Sequence, residues 1–468
     1  MKRIHFVGIK GVGMAPLAIV AKQAGFSVTG CDIDAEFITD HELGENGIIP
    51  QVGFTPEHVH DIDLVITTGA HGGYNNIEVK TAKEKNIPVW TQGQAVGEFM
   101  KGKIFERLFS GISISGCHGK TTTTAMIATM LSVSGKDPSF IIGTGDIPSL
   151  GSSGHFGKGR YFVAEADEYA NEPQYDRIAK FLYQNPEILI ITNIEFDHPD
   201  LYPDIQSVQN AYLKFTNNIQ KNGVLIANGD DNYSKKIIEN YKGLLITFGL
   251  NSSNNCVLKN VFIRDGITSF QVEYNKKLLG EFSINVLGQH NAMNAVIAVI
   301  VGIKIGMSSD AIKKSLAEFR GTKRRLEYKG MLSTGAILYD DYAHHPTEIR
   351  ASLQALHQTF PDKKIICIFQ PHTYSRTQVL FDEFTGAFIN THMVIISDIY
   401  ASAREVKNNG ISSRKLIDVI NKHQNAQYIP DLESVIKYIN MNRFDNNYVI
   451  VTMGAGDIYQ IAPKILTK

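Results

Sequence analysis

The densest set of chemistry-bearing residues in the sequence is Gly116-Cys117-His118-Gly119-Lys120-Thr121, followed by Thr122. A glycine-rich stretch between an apolar run and a threonine-rich run suits phosphate. Gly119 permits a tight turn, so that backbone N–H groups can converge on phosphate oxygens at the start of a helix. Lys120 would bring charge to the β- and γ-phosphates, and the Thr121 hydroxyl would bind Mg²⁺. The full G-x-x-x-x-G-K-[ST] pattern is not met, because Ile114 stands where the first glycine belongs. The plainer alternative is a turn in which threonine caps a helix and Lys120 is solvated.

Two polar segments follow apolar runs downstream. Tyr161 to Ala164 leads into Glu165-Ala166-Asp167-Glu168, and Ile188 to Ile191 leads into Thr192-Asn193-Ile194-Glu195-Phe196-Asp197-His198. A nucleotide that carries Mg²⁺ needs carboxylate oxygen and sometimes imidazole, which makes Glu165 and His198 candidate ligands. Taken alone, each is an ordinary strand-end or loop residue. Lys120 and His198 lie in polar loops, so variants lacking either are expected to melt like the parent. Cys117 sits beside Lys120 near a helix N-terminus. It is either a reactive thiolate shielded by nucleotide or a small buried thiol that reacts with nothing.

The ends of the chain add three more polar turns. Gly11-Val12-Gly13-Met14 after the run Ile4 to Val7, with Asp32 ending the next run, suits a diphosphate against a helix N-terminus. Its spacing is not G-x-G-x-x-G, and plain strand–helix packing explains it equally well. Asp340-Asp341-Tyr342-Ala343-His344-His345 and Gln370-Pro371-His372-Thr373-Tyr374-Ser375-Arg376 gather carboxylates, imidazoles and one guanidinium. They read as ribose, phosphate and carboxylate contacts, or singly as polar loops. No third ligand at a metal-binding spacing accompanies the histidine pair.

Short apolar runs that alternate with helical patterns must position these turns. That alternation predicts an α/β protein with mostly parallel, doubly wound sheets, whose ligands lie beyond the carboxyl ends of strands. Three segments are expected: 1–103, Rossmann-like; 104–323, a P-loop ATPase-type sheet; and 324–468, again Rossmann-like. Lys101-Gly102-Lys103 is the expected first linker, and residues 244–286 look strand-rich before a helix from Asn291 to about Val301. The 468 residues carry 46 Lys and Arg against 47 Asp and Glu, for a formal charge of −1. No global field is present to hold nucleic acid or an anionic membrane. Cys31, Cys117, Cys256 and Cys367 form no CxxC pair, which fits a reducing cytoplasm and excludes a disulfide framework. No apolar stretch approaches the roughly 20 residues that span a bilayer.

As an ordered set, these motifs resemble the Mur ligase family. The resemblance runs over nearly the whole chain and also uses Gly288-Gln289-His290-Asn291 and Gly454-Ala455-Gly456-Asp457-Ile458. It implies a three-domain, ATP-dependent amide ligase of peptidoglycan synthesis, with UDP-sugar, ATP with Mg²⁺, and amino acid held in that order. It places Gly116 to Thr122 at ATP, Thr121 and Glu165 on one Mg²⁺ and His198 on a second. Lys120, Glu165 and His198 are then the catalytic set. His290 and Asn291 fall at the adenine, Asp341 at the ribose and Arg325 near the nucleotide phosphates. Gly11 to Met14 and Asp32 would hold UDP, and His344, His372 and Arg376 the amino acid. The alanine-adding branch fits best, which implies L-alanine and UDP-N-acetylmuramate as substrates. Tyr169 leans instead toward the branch that recycles the tripeptide L-Ala-γ-D-Glu-meso-diaminopimelate, and Cys117 replaces the usual threonine. Outside the family, a nicotinamide-dependent oxidoreductase and a non-catalytic nucleotide-binding regulator are the competing classes. Lys120-Thr121 argues against the first, and the intact catalytic set against the second.

Overall fold

The structure is a computed structural model that describes residues 2–401 and 410–466. It divides into two compact units. The first runs to Asn260 and adds 270–284 and 293–322; the second holds 261–269, 285–292 and the chain from Lys323 onward.

The first unit contains two sheets. Five parallel strands lie in the order Gln51–Val52, Ser27–Asp32, Arg3–Val7, Leu64–Thr67, Val89–Thr91. This is the expected Rossmann-like sheet. The second sheet places Ser110–Ser115 at its centre, between Ile188–Ile191 and Tyr161–Glu165, both parallel to it. Ile188–Ile191 is apolar at every position and wholly buried, as a strand covered on both faces must be. Three strands, Cys256–Arg264, Ile267–Tyr274 and Lys277–Ile284, account for the strand-rich region, and 261–269 among them are counted in the second unit.

Within this unit the two sheets are tied together by polar contacts. Glu42 accepts from the Ser153 backbone N–H at 2.8 Å and from its hydroxyl at 2.7 Å. Lys101-Gly102-Lys103 is not an extended linker. Lys101 ends the helix Gln92–Lys101, Gly102 caps it at φ 76°, and a 3₁₀ turn follows at once. A left-handed glycine at this point is an ordinary helix stop.

The second unit holds a six-stranded sheet ordered Glu327–Met331, Ile337–Asp341, Tyr448–Met453, Lys364–Phe369, Met393–Ile396, Ala426–Tyr428. Only the edge strand Glu327–Met331 is antiparallel. Helices cover both faces over separate apolar cores. The expected helix from Asn291 runs longer, as Gln289–Lys304. Among the described residues no helix is long and apolar enough to cross a membrane.

Candidate active site

The strand Ser110–Ser115 delivers the chain into the glycine loop, and the helix Lys120–Val133 leaves it. Gly116 at φ 127° and Gly119 at φ 81° occupy backbone that side chains rarely adopt. A Cβ on Gly116 would collide with the Thr192 hydroxyl, and one on Gly119 would lie 2.7 Å from Asn294 Oδ1. Asn193 then clamps the loop: its carbonyl accepts from Cys117 N–H at 3.2 Å and its Oδ1 from His118 N–H at 2.9 Å. Those two N–H groups shape the loop. The N-terminus of the helix that Lys120 begins is a feature that suits an anion.

Lys120 donates to the Gly116 carbonyl at 2.6 Å and to both oxygens of Glu168 at 2.8 and 3.0 Å. Burial alone would lower this ammonium's pKa, but the charges of Glu168 and Asp167 outweigh it and raise the pKa above its ordinary value. Burial likewise opposes the charge on Asp167. Lys180, with Nζ 2.7 Å from Oδ2, and Lys120 win, and hold that carboxyl below its usual range. Lys120 is thus fully charged and already aimed at an acid. Its loss would leave buried Glu168 without this cation, which argues against the expectation that Lys120 can be removed without touching the fold.

Thr121 Oγ1 donates to Glu165 Oε2 at 3.2 Å, and Gly143 N–H donates to the other oxygen at 2.6 Å. His198 reaches the same neighbourhood from the next strand end. Its Nε2 lies 3.7 Å from Glu168 Oε1 and 3.7 Å from Asp197 Oδ2, and its ring 4.8 Å from that of Tyr169. The residue sits at φ 56°, a conformation costly for a side chain and characteristic of functional positions. Thr121 with Glu165, and His198 beside Glu168 and Asp197, offer hydroxyl, carboxylate and imidazole groups of the types that suit Mg²⁺.

The geometry at Cys117 favours the inert alternative. Its thiol donates to the Glu195 carbonyl at 3.2 Å and accepts from the Glu195 N–H at 3.1 Å. Burial, reinforced by the charge of Glu168, pushes its pKa well above the usual thiol range despite Lys120 nearby.

At the N-terminal turn, Gly8 and Ile9 N–H groups both donate to the Cys31 carbonyl, and Gly11 caps the turn that Met14 closes. Val12 and Gly13 form the crest, with Val12 exposed. Asp32 turns inward, accepting from Lys10 N–H and Ile33 N–H at 2.8 Å each. It braces the turn from behind.

In the second unit, His344, His372 and Arg376 are brought together. The two imidazole centroids lie 6.1 Å apart, and Arg376 Nη1 lies 3.3 Å from His372 Nδ1. Arg325 pairs with Glu348 at 3.5 Å, and burial pushes His290 down to about 4. Asn291 donates to the Leu287 carbonyl at 2.8 Å. Asp341 is buried, its oxygens accepting from Ser352 at 2.5 Å and Ala343 N–H at 3.1 Å; burial raises it to about 6.

Sequence reasoning passed over Glu168 and Asp197, which stand beside Lys120 and His198. It also missed Arg324, paired with Asp340 at 3.1 Å in the second unit. The spacing of Glu168 three residues beyond Glu165 was the only available signal.

The family described as Mur ligase catalytic domain matches residues 3–104, Mur ligase middle domain 114–302, and Mur ligase glutamate ligase domain 324–456. A UDP-N-acetylmuramate–L-alanine ligase from Desulfitobacterium hafniense is 40% identical over 465 residues, covering 99% of each chain. The chain belongs to the Mur ligase family.

A second ligase of that name, from Clostridium kluyveri, is 38% identical and covers 100% of this chain and 98% of its own. Among solved Mur ligases, the UDP-N-acetylmuramate–alanine ligase of Thermotoga maritima superposes with a TM-score of 0.81 at 27% identity, covering 100% of this chain and 99% of its own. A murein peptide ligase from Psychrobacter arcticus gives 0.70 at 24% identity, covering 100% and 98%, a likeness of fold alone.

Proposed function

We propose that the chain is an ATP-dependent amide ligase that joins L-alanine to the lactyl carboxylate of UDP-N-acetylmuramate. The observation that carries this reading is the convergence of Lys120, Thr121, Glu165, Glu168 and His198 at the carboxyl ends of three adjacent strands. The names borne by full-length relatives at 40% and 38% identity support alanine as the amine. The tripeptide alternative has Tyr169 behind it.

A carboxylate is a poor acyl donor. Attack of its oxygen on the γ-phosphorus of ATP releases ADP and gives an acyl phosphate. The amine of L-alanine then adds to the acyl carbon, and the tetrahedral intermediate expels inorganic phosphate and loses a proton. Two anions must meet in the first step, so fixed positive charge aimed at the transferring group lowers the barrier. Lys120 supplies that charge from the helix N-terminus, and Glu168 holds it in position. Thr121 with Glu165, and His198 with Asp197, would hold Mg²⁺, whose charge offsets the phosphates. Gly11 to Met14 would receive the UDP diphosphate, with Asp32 bracing the turn. His290, Asn291, Asp341 and Arg325 would serve the nucleotide, and His344, His372 and Arg376 the amino acid carboxylate. We assign residues 1–103, 104–323 and 324–468 to these three tasks, and the enzyme to the cytoplasm, where its substrates are made. The test is ADP release with each substrate omitted in turn. Turnover that needs ATP, UDP-N-acetylmuramate and an amine together supports the reading, and ADP release indifferent to the sugar nucleotide refutes it.

A further inference from the structure

Away from the glycine turn's crest, four polar side chains from four separate segments meet beside the first sheet, three of them buried and His58 partly so. His5 comes from the strand Arg3–Val7, Cys31 from Ser27–Asp32, His58 from the 3₁₀ turn Pro56–Val59, and Glu78 from the helix Ile77–Glu84. Their donor atoms all lie within 4.8 Å of one another. Glu78 Oε2 is 3.2 Å from His5 Nε2 and 2.8 Å from Cys31 Sγ, while Oε1 is 2.7 Å from His58 Nδ1. His5, Cys31 and Glu78 have no exposed surface. Around them the layer is apolar: Val7, Val59, Val65, Val79 and Ala82.

We propose that His5, Cys31, His58 and Glu78 form a structural zinc site. One sulfur, two imidazole nitrogens and one carboxylate oxygen make a donor set suited to tetrahedral Zn²⁺. Thiolate and carboxylate together carry two negative charges, which a divalent ion cancels in this dry layer. The outer contacts are those a metal site requires. His5 Nδ1 lies 2.9 Å from Thr29 Oγ1, and Thr55 N–H donates to Glu78 Oε1 at 3.0 Å. On binding, the Cys31 thiol gives up one proton to solvent. His5 keeps its ring proton on Nδ1, directed at Thr29, and frees Nε2 for the ion. The ion would also staple the diphosphate turn, because the Cys31 carbonyl accepts from Gly8 and Ile9 N–H groups at 2.9 and 3.1 Å. This site does not depend on the ligase reading, since none of its four residues belongs to the phosphate-transfer cluster.

Cobalt substitution of the full chain tests it. Co²⁺ titrated into the metal-free protein should give a thiolate-to-cobalt charge-transfer band that zinc abolishes at about one equivalent. Cys117→Ala should keep the band, and Cys31→Ala should lose it. Should Cys31→Ala fail to fold, His58→Gln decides, because that ring lies at the edge of the cluster. It should retain the parental far-UV circular dichroism and bind Co²⁺ roughly 100-fold more weakly. A titration with no thiolate band, a band that survives Cys31→Ala or vanishes with Cys117→Ala, or an unchanged affinity in His58→Gln overturns the proposal.

Discussion

Lys120, partly exposed, pairs with buried Glu168, its Nζ 2.8 and 3.0 Å from the two carboxylate oxygens at the mouth of the glycine loop. The same Glu168 lies 3.7 Å from His198 Nε2, so one acid touches both side chains. Removing the lysine leaves a buried carboxylate uncompensated and costs up to about 3–5 kcal/mol. Lys120→Ala should therefore melt well below the parent and lose about 10²–10³ in turnover. Lys120→Met with Glu168→Gln should recover most of the stability and none of the activity. A single variant that melts like the parent would show the pair to be solvated.

His198 presents a different balance. It is partly exposed and held at φ 56°, where a side chain is strained. His198→Ala and His198→Gly should both lose roughly 10²-fold in turnover. The glycine variant should melt above the alanine variant, by an amount on the order of 1 kcal/mol. Identical melting of the two, measured by calorimetry, would remove backbone strain from the account.

Cys117 should resist alkylation. With its pKa raised by burial and its sulfur bonded to Glu195, the thiolate is scarce at neutral pH. Iodoacetamide labelling mapped by mass spectrometry should proceed at least about 100-fold more slowly than for a free thiol. Saturating Mg-ATP should make little difference. Fast labelling that nucleotide suppresses would restore the reactive alternative.

Two groups in the second unit act oppositely on stability as pH changes. Burial lowers His290 from 6.5 to about 4, so between those values the unfolded chain binds more protons and stability rises with pH. Burial raises Asp341 from 3.8 to about 6, so there the folded chain binds more protons and stability falls as pH rises. Relative to the parent, His290→Gln should flatten the rise and Asp341→Asn should remove the fall, each on the order of 1 kcal/mol. Urea midpoints taken from pH 4 to pH 7 give both differences. A change of the opposite sign in either variant contradicts the burial argument.

The sheet architecture was legible because apolar runs such as Ile188 to Ile191 feed directly into polar clusters. Gly116, Gly119 and Thr121 were legible for a related reason: the turn demands glycine and the helix start demands a hydroxyl. What escaped was partnership across segments. Nothing local in Glu165-Ala166-Asp167-Glu168 says that the last acid, not the first, meets Lys120. Cys117 stayed open because its position beside a helix N-terminus favours a thiolate, whereas its hydrogen bonds to Glu195 come from a distant segment. The hairpin of Ala170–Glu172 and Asp176–Ala179 also went unread, since its segment Asn171-Glu172-Pro173-Gln174-Tyr175-Asp176 is polar and lacks alternation.

The identity of the amine tests the central claim most directly. One measurement supplies ATP and UDP-N-acetylmuramate with either L-alanine or L-Ala-γ-D-Glu-meso-diaminopimelate, and follows ADP and product mass. A side chain of one methyl group is discriminated by only about 1–3 kcal/mol, so glycine and L-serine should react with lower kcat/KM. L-alanine should give the highest kcat/KM and a product heavier than the sugar nucleotide by one alanyl residue. A higher kcat/KM for the tripeptide, or no ADP with either amine, would contradict the account.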